Sequence, residues 1–352
     1  MKQCMKCMEF YDGNLERCPI CGEAHGAEDG VALHLRPGTV LQDRYVVGKP
    51  LGFGSYGVTY IGWDRLLEHK VAIKEYLPSE YVTRTASSPE LILPTGNAEM
   101  DRFRRGIEQF SREARSLATL GHVEGVVYVY DTFSANNTAY IVMEYLRGET
   151  LAAYLERNGS MKEEQALELM LPVLRALSSI HALGILHRDI APENLFMETD
   201  SAGRVGLKLI DFGAARDSSA SHSRSLTMML RPGYTPEERY RSTGEQGPYS
   251  DVYSASAVLY QMLTGVRPPD ALERRSAIER KKKDPLRPPG DLNRQLSDNV
   301  ETALLNGLNV QTEDRTATAE ALIGELTSRE KVARRGSSIR RVDFLRWPLW
   351  AR

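Results

Sequence analysis

The sequence predicts an α+β chain in two lobes, a small β-rich one followed by a larger helical one, with a short cysteine-bearing segment in front. Three observations predict it. Residues 44–76 carry β-branched and aromatic runs around a glycine-rich turn, the text beyond Gly148 changes to three- and four-residue apolar spacing, and all four cysteines fall within the first 21 residues. At 352 residues the chain exceeds the ~250–300 residues at which single cores stop growing, which fits one two-lobed domain with small appendages.

The first lobe is expected over residues 44–146. Tyr45-Val46-Val47, Val58–Ile61 and Val71–Lys74 read as strands, with Gly52-Phe53-Gly54-Ser55-Tyr56-Gly57 between the first two. Ser79–Asp101 holds two prolines, a Gly-Asn pair and several hydroxyls, and reads as an extended insertion. Phe103, Ile107, Phe110, Ala114, Leu117 and Leu120 then recur on one face of a helix expected from near Asp101 to Gly121, with Glu113 inside it. Val126–Tyr130 and Ala139–Tyr145 read as strands around an Asn-Asn turn.

The second lobe is expected over 147–329. Ala166, Leu169, Met170, Val173, Leu174, Leu177 and Ile180 form a helical stripe, and Pro172 inside it is expected to kink the helix. Val252–Leu263 is apolar nearly all round, as a buried central helix would be, and further helices are expected near Asp298–Leu308 and Thr318–Leu326.

Hydrophobic content of 41% and charged content of 26% match soluble globular proteins, and a net charge of −2 gives no global attraction for nucleic acid or membrane. No run approaches the ~18 apolar residues that cross a bilayer, and Cys4 and Cys7 stand where a secretory signal would be apolar. A cytoplasmic protein with no nucleic-acid partner is therefore expected.

The chemistry concentrates in His187-Arg188-Asp189-Ile190-Ala191-Pro192-Glu193-Asn194, followed by Asp211-Phe212-Gly213. These residues supply a base and two metal-binding groups, the polar kit for moving a phosphoryl group: Asp189 for an acceptor hydroxyl, Asn194 and Asp211 for Mg²⁺. The glycine turn alone is weak, because similar turns open dinucleotide-binding folds; here a strand and Val71-Ala72-Ile73-Lys74 follow it, which does not suit that alternative. Lys74 and Glu113 would each read alone as solvated charges. With the glycine turn before them, a Lys74–Glu113 pair serving phosphate oxygens is the stronger reading.

In this order, the glycine loop, VAIK, helix Glu, HRDxxxxN, DFG and a Pro-Glu resemble the eukaryotic-like protein kinases over roughly Arg44–Leu326. Lys74-Glu75-Tyr76-Leu77-Pro78 and Asn137–Tyr145 look like a bacterial branch of that family. The resemblance implies a protein-kinase-like fold and an ATP-dependent kinase for Ser/Thr hydroxyls of protein substrates, using Mg²⁺ or Mn²⁺, autophosphorylating through a transient dimer, in cytoplasmic signalling. It implies that Lys74 contacts the α- and β-phosphates and pairs with Glu113, that Gly52, Gly54 and Gly57 line the phosphates, and that Asp189 accepts or orients the substrate hydroxyl. Asn194 and Asp211 would hold the metal. Glu144 and Leu146 would stand at a hinge reading the adenine edge, with Val58, Ala72 and Leu195 around the ring, although these apolar residues suit an ordinary core almost as well. Glu237 of Thr235-Pro236-Glu237 is expected to pair with Arg315, and Asp251 to cap the catalytic-loop backbone. The alternative is a catalytically weak ATP-binding scaffold that docks partners through its cysteine segment.

Two departures stand out. Ala191 occupies the place of a lysine two residues after the catalytic Asp, and Leu230 that of a threonine five residues before the Ala of Ala-Pro-Glu. Arg231 is expected to turn into the site and replace the missing cation near the γ-phosphate; a solvent-facing arginine is the alternative. Ser218, Ser219, Ser221, Ser223, Ser225 and Thr227 are candidate phosphorylation sites, Thr227 first, with Arg188 as the cation for an added phosphate.

Residues 1–28 carry Cys4-x2-Cys7-x10-Cys18-x2-Cys21. Two such knuckles can present four thiolates to one zinc ion at ~2.3 Å, with two disulfides as the alternative. So short a ribbon buries little core, so zinc would fold it and docking or regulation would be its role. Residues 29–43 are expected as a linker and 330–352 as a disordered basic and aromatic tail. Its Lys331, Arg334, Arg335, Arg340, Arg341, Arg346 and Arg352 beside Trp347 and Trp350 make peripheral contact with an anionic membrane the second reading.

Overall fold

The computed structural model describes residues 1–24, 33–54, 57–85, 88–200, 202–211, 230–241 and 244–336. They divide into two units, one of Met1–Gly121 with Val127–Leu146, the other of His122–Val126 with the described chain from Arg147 onwards.

In the first unit β1 (Lys2–Gln3) and β2 (Phe10–Tyr11) form a hairpin. β3 (Val40–Leu41), β4 (Tyr45–Gly54), β5 (Gly57–Asp64), β6 (His69–Tyr76), β9 (Val129–Ala135) and β10 (Thr138–Glu144) form an antiparallel sheet in the order β3-β4-β5-β6-β10-β9. The Asn136-Asn137 turn between β9 and β10 has positive φ at both residues, which asparagine tolerates and a tight hairpin requires. β3 lies inside the segment expected to be linker, so the sheet begins before Arg44. The insertion is also folded: β7 (Thr83–Arg84) pairs with β8 (Leu91–Ile92).

Helix α1 spans Asn97–Thr119, starting four residues before Asp101, and buries Phe103, Phe110, Ala114 and Leu117 as their spacing predicts. Tyr76, at the end of β6, packs its ring 5.7 Å from Phe103 and 5.6 Å from Phe110. This aromatic cluster fixes α1 against the strand that carries Lys74. The strand expected at Val126 starts instead at Val129.

The second unit contains β11 (Gly148–Thr150), α2 (Leu151–Asn158), α3 (Glu163–Ala182), β12 (Leu195–Thr199), β13 (Val205–Leu209), α4 (Pro248–Thr264), α5 (Ala271–Glu279), α6 (Pro289–Leu292), α7 (Asp298–Gly307) and α8 (Ala319–Leu326). α3 passes through Pro172 as one element; the missing N–H removes one backbone bond, while Val173, Leu174, Leu177 and Ile180 stay buried and hold the helix. α4 is buried along nearly its whole length, as expected of a central helix.

The first residues of the expected tail are ordered. Val332 N–H donates to Asn299 (3.0 Å), Arg335 N–H to Asn306 (2.7 Å), and the Arg335 guanidinium to Glu325 (2.7 Å). Trp347, Trp350 and the basic residues from Arg340 onwards lie outside the described residues, as do His25–Ala32 and the serines and Thr227 named above. Among the described residues no helix is long and apolar enough to cross a membrane.

Candidate active site

β4 and β5 close the glycine turn with Gly54 opposite Gly57; Ser55 and Tyr56 are outside the described residues. Gly57 has no room for a side chain, because a Cβ would overlap the Glu75 carbonyl oxygen on β6. Gly52 and Gly54 are exposed, as backbone that receives phosphate must be. Lys74, half-buried on β6, sits opposite Thr59 of β5 and Ile141 of β10. Glu113 is half-buried on α1 and accepts a hydrogen bond from Gln109 (3.2 Å). The structure thus places Lys74 and Glu113 on the two elements that Tyr76 pins together.

Beside Lys74, sequence reasoning missed a buried charge. Glu75 is wholly buried and accepts hydrogen bonds from the hydroxyls of Tyr140 (2.7 Å) and Tyr60 (2.9 Å). Arg84, from the insertion, donates Nη1 to one carboxylate oxygen (3.2 Å) and Nη2 to the other, and also binds the carbonyls of Leu33 (2.7 Å) and Pro89 (2.8 Å). Burial works against the Arg84 charge, but the Glu75 carboxylate more than offsets it and raises the pKa. Burial, joined by Glu75, pushes both phenols up, so they remain donors. The available signal was a carboxylate in an apolar strand, which needs a cation.

Glu144 ends β10; its N–H donates to the Tyr128 carbonyl (3.0 Å) and its carboxylate accepts the Tyr128 N–H (2.8 Å). Leu146 is half-buried two residues on. Val58 and Ala72 are buried in the first unit and Leu195 in the second.

In the second unit Asp251, at the start of α4, organises the loop that carries Asp189. Its carboxylate accepts the N–H groups of His187 and Arg188, each at 2.8 Å, and lies 2.9 Å from His181 Nε2. Burial opposes its charge, but bonds to His181 and the Arg188 N–H hold its pKa below the usual carboxylate range. Asp251 therefore caps the loop as expected; the His181 partnership was not foreseen. Arg188 and Asp211 have φ of 65° and 55°, a left-handed backbone that costs roughly 1–2 kcal/mol per residue. At Arg188 the bond to Asp251 holds that conformation.

Asp189 N–H donates to His187 Nδ1 (3.3 Å), while His187 Nε2 faces the Ile210 carbonyl (3.2 Å), so the buried ring is neutral with its proton on Nε2. Burial holds the His187 pKa below its ordinary 6.5. Register places the two candidate Mg²⁺ ligands: Leu195 opposes Leu209, and Ile210 N–H reaches the Asn194 carbonyl (2.9 Å). Asn194 and Asp211 thereby flank the same hairpin. Asn194 turns its amide nitrogen to the Asp189 carbonyl (2.7 Å) and carboxylate (2.8 Å). Its amide oxygen and the Asp211 carboxylate are then hard oxygen donors, which suit Mg²⁺.

Arg231 does turn inwards. Its Nε lies 3.0 Å from Asp189 Oδ1, its Nη2 3.4 Å from Oδ2, and its Nη1 3.3 Å from Glu193 Oε2. Its own N–H donates to Thr235 Oγ1 (2.8 Å). Burial works against the guanidinium charge, and Asp189, Glu193 and Asp211 raise its pKa in spite of that.

The expected Glu237–Arg315 pair is corrected by one residue. Arg315 binds Glu238 (2.7 Å), with further bonds to the carbonyls of Asn309 (2.8 Å), Val310 (3.0 Å) and Tyr249 (3.2 Å). Glu237 instead meets Arg241 and Arg275, the latter at 2.9 Å. Two adjacent glutamates made the register ambiguous in sequence. With Glu238 closing the triplet, the residue five before its first member is Arg231 and not Leu230. The threonine position is therefore occupied by the arginine itself.

The four cysteines form a second site. Their sulfurs lie within 4.8 Å of one another, with Cys4–Cys21 at 3.5 Å and Cys7–Cys18 at 3.7 Å, and all four are free thiols. Sulfurs around a tetrahedral ion at a bond length of ~2.3 Å would be about 3.8 Å apart, so donor set and spacing fit zinc. Burial opposes the Cys18 thiolate, but the N–H groups of Cys21 and Ile20 and the neighbouring thiols bring its pKa to about 7.

A family model described as the protein kinase domain matches residues 45–326. The chain is 32% identical over 296 residues to serine/threonine-protein kinase PknB of Mycobacterium tuberculosis, covering 81% of this chain and 43% of that protein. It is 28% identical over 291 residues to a protein of Clostridium acetobutylicum named as a probable serine/threonine-protein kinase, covering 83% and 40%. The chain thus spans about two fifths of the length of these curated relatives. A solved structure described as the PpkA-294 apo form matches with a TM-score of 0.69 at 27% identity, covering 84% of this chain and 99% of that one.

Proposed function

The chain belongs to the protein kinase family, and from that premise we propose that it transfers the γ-phosphoryl group of ATP to serine or threonine hydroxyls of protein substrates. The observation that carries this reading is Arg231 on the Asp189 carboxylate. Asp189 accepts the hydroxyl proton as the oxygen attacks phosphorus, and the bond to the ADP oxygen breaks. Lys74, oriented by Glu113, binds the α- and β-phosphates. Asn194 and Asp211 would hold Mg²⁺, which would supply positive charge to the phosphate oxygens. Arg231 supplies the cation that Ala191 lacks: it orients Asp189 and places positive charge where the γ-phosphoryl group passes. Glu144 and Leu146 present backbone to the adenine edge, and Gly52 and Gly54 present N–H groups to phosphate.

Incubation with labelled ATP, Mg²⁺ and a generic protein substrate tests this. The natural chain is expected to transfer label, Asp189→Asn to lose it, and Arg231→Ala to lower kcat by about 10²–10³ with little change in nucleotide affinity. Label transfer that survives Asp189→Asn would overturn the assignment of the base, and unchanged turnover in Arg231→Ala that of the cation.

Cys4, Cys7, Cys18 and Cys21 are read in the same proposal as a structural zinc site. One zinc per chain, lost in Cys18→Ser, is expected by elemental analysis; a metal-free chain with two disulfides would refute it.

A further inference from the structure

We infer that the N-terminal four-cysteine segment positions the strand that carries Gly52 and Gly54, so that the folded ribbon sets the affinity of these glycines and Gly57 for nucleotide phosphates. This inference rests on the ATP reading above. The strand that enters the glycine loop, β4, is also the strand that the ribbon grips. Met8, directly after Cys7, has a φ of 60°, is wholly buried, and has its N–H on the Cys4 carbonyl (2.8 Å). Its methyl group sits over Gly48, where a Cβ would overlap Met8, the Met5 carbonyl and Ile61. Only glycine leaves that notch open.

Both knuckles hold the next residue. Lys49 N–H donates to the Met5 carbonyl (2.7 Å) in the first knuckle, and the Lys49 ammonium meets Glu23 (2.5 Å), two residues after Cys21 in the second. Lys6 meets the same Glu23 (3.1 Å), Lys70 of β6 meets Glu9 (2.5 Å), and Phe10 stands edge-on to Trp63 of β5 at 5.3 Å. Each ion pair alone contributes little. Together with the Met8 seat they fasten β4 to a segment whose fold depends on its sulfur cluster.

Between this grip and the glycine loop, the β4–β5 register shifts twice, between Val47 and Pro50 and between Pro50 and Gly52. Such irregularities re-aim a strand, so where β4 is held decides where Gly52 points. A second contact reaches the loop itself. His34 stacks on Phe53 with ring centroids 4.7 Å apart and planes 22° from parallel, and the next residue, Leu35, donates its N–H to the Tyr60 hydroxyl (2.9 Å). Phe53 is otherwise an exposed aromatic between two glycines. A glycine loop loses much freedom on binding phosphate, so contacts that order it beforehand lower that cost.

The test uses the full chain, titrated calorimetrically with Mg²⁺ and a non-hydrolysable ATP analogue, and hydrogen exchange at Lys49 and Gly52–Gly54. Met8→Ser is expected to speed exchange at Lys49 and weaken nucleotide binding about fivefold, and a zinc-selective chelator to reproduce both effects. His34→Ala, which leaves the ribbon seated, is expected to weaken binding without changing exchange at Lys49, and His34→Phe to restore it. Unchanged affinity in Met8→Ser despite faster exchange would overturn the coupling, and unchanged exchange at Lys49 would overturn the seat. A natural chain that binds no nucleotide is a separate result, which removes the ATP reading itself.

Discussion

Each unit holds an Arg–Glu pair almost out of contact with water, and the two are solved differently. Arg315–Glu238, in the second unit, is surrounded by backbone carbonyls and by the ring of Tyr253, 5.0 Å from the guanidinium carbon. Arg84–Glu75, in the first, is closed by two tyrosine hydroxyls on the strands flanking β6. The first pair anchors a loop at the end of the Pro-Glu segment and touches no residue assigned to phosphoryl transfer. The second sits next to Lys74 in the chain. Similar buried chemistry therefore holds a loop end in one unit and stands next to the proposed phosphate-binding lysine in the other.

The largest expected effect belongs to Glu238→Ala, which leaves Arg315 buried without its carboxylate and should cost about 3–5 kcal/mol of unfolding free energy. Denaturant titration checks it. Arg84→Met should cost somewhat less, about 3 kcal/mol, because the tyrosine hydroxyls still solvate Glu75. It should also weaken nucleotide binding at least about threefold, whereas Glu238→Ala, assayed where it remains folded, should not. Equal nucleotide affinity in the two variants would break the comparison. Glu237→Ala removes only contacts to the partly exposed Arg241 and Arg275 and should cost about 1 kcal/mol or less. A larger loss than for Glu238→Ala would restore the register expected from sequence.

The most gradual effect is a pH dependence centred on His187. Its folded pKa lies below 6.5, so as pH falls through that value the unfolded chain takes up the proton first. Stability is then complete above about pH 6.5 and declines below it, by no more than about 1.4 kcal/mol per pH unit. His34, also held below its ordinary value by burial, contributes with the same sign. Unfolding titrations at pH 7.5 and 5.5 should show a shallower slope in His187→Gln than in the natural chain.

Much of the site was legible because its residues keep fixed spacing along the chain. Asp189 and Asn194 are five apart on one loop, and Asp211 follows the short hairpin of β12 and β13 that starts from Asn194. Arg231 was legible as a candidate because Ala191 left a charge missing. Arg84 was not, since it lies within an insertion with no periodicity, nine residues from its partner, and nothing local requires its side chain to turn inwards. Met8 and His34 were invisible for the same reason: each matters through a surface that another strand provides.

By itself the sequence determined what is set by local pattern and by residue chemistry. These are the strand and helix content, the order of the two units, the candidate base and candidate Mg²⁺ ligands, and four sulfurs spaced for one ion. Tertiary structure decided which of two adjacent glutamates meets Arg315, whether Arg231 faces Asp189, and that the ribbon lies on β4 and does not stand apart. Those outcomes depend on which buried charges find partners and which surfaces fit. Such energies arise between residues far apart in the chain, and become definite only when packing brings the residues together.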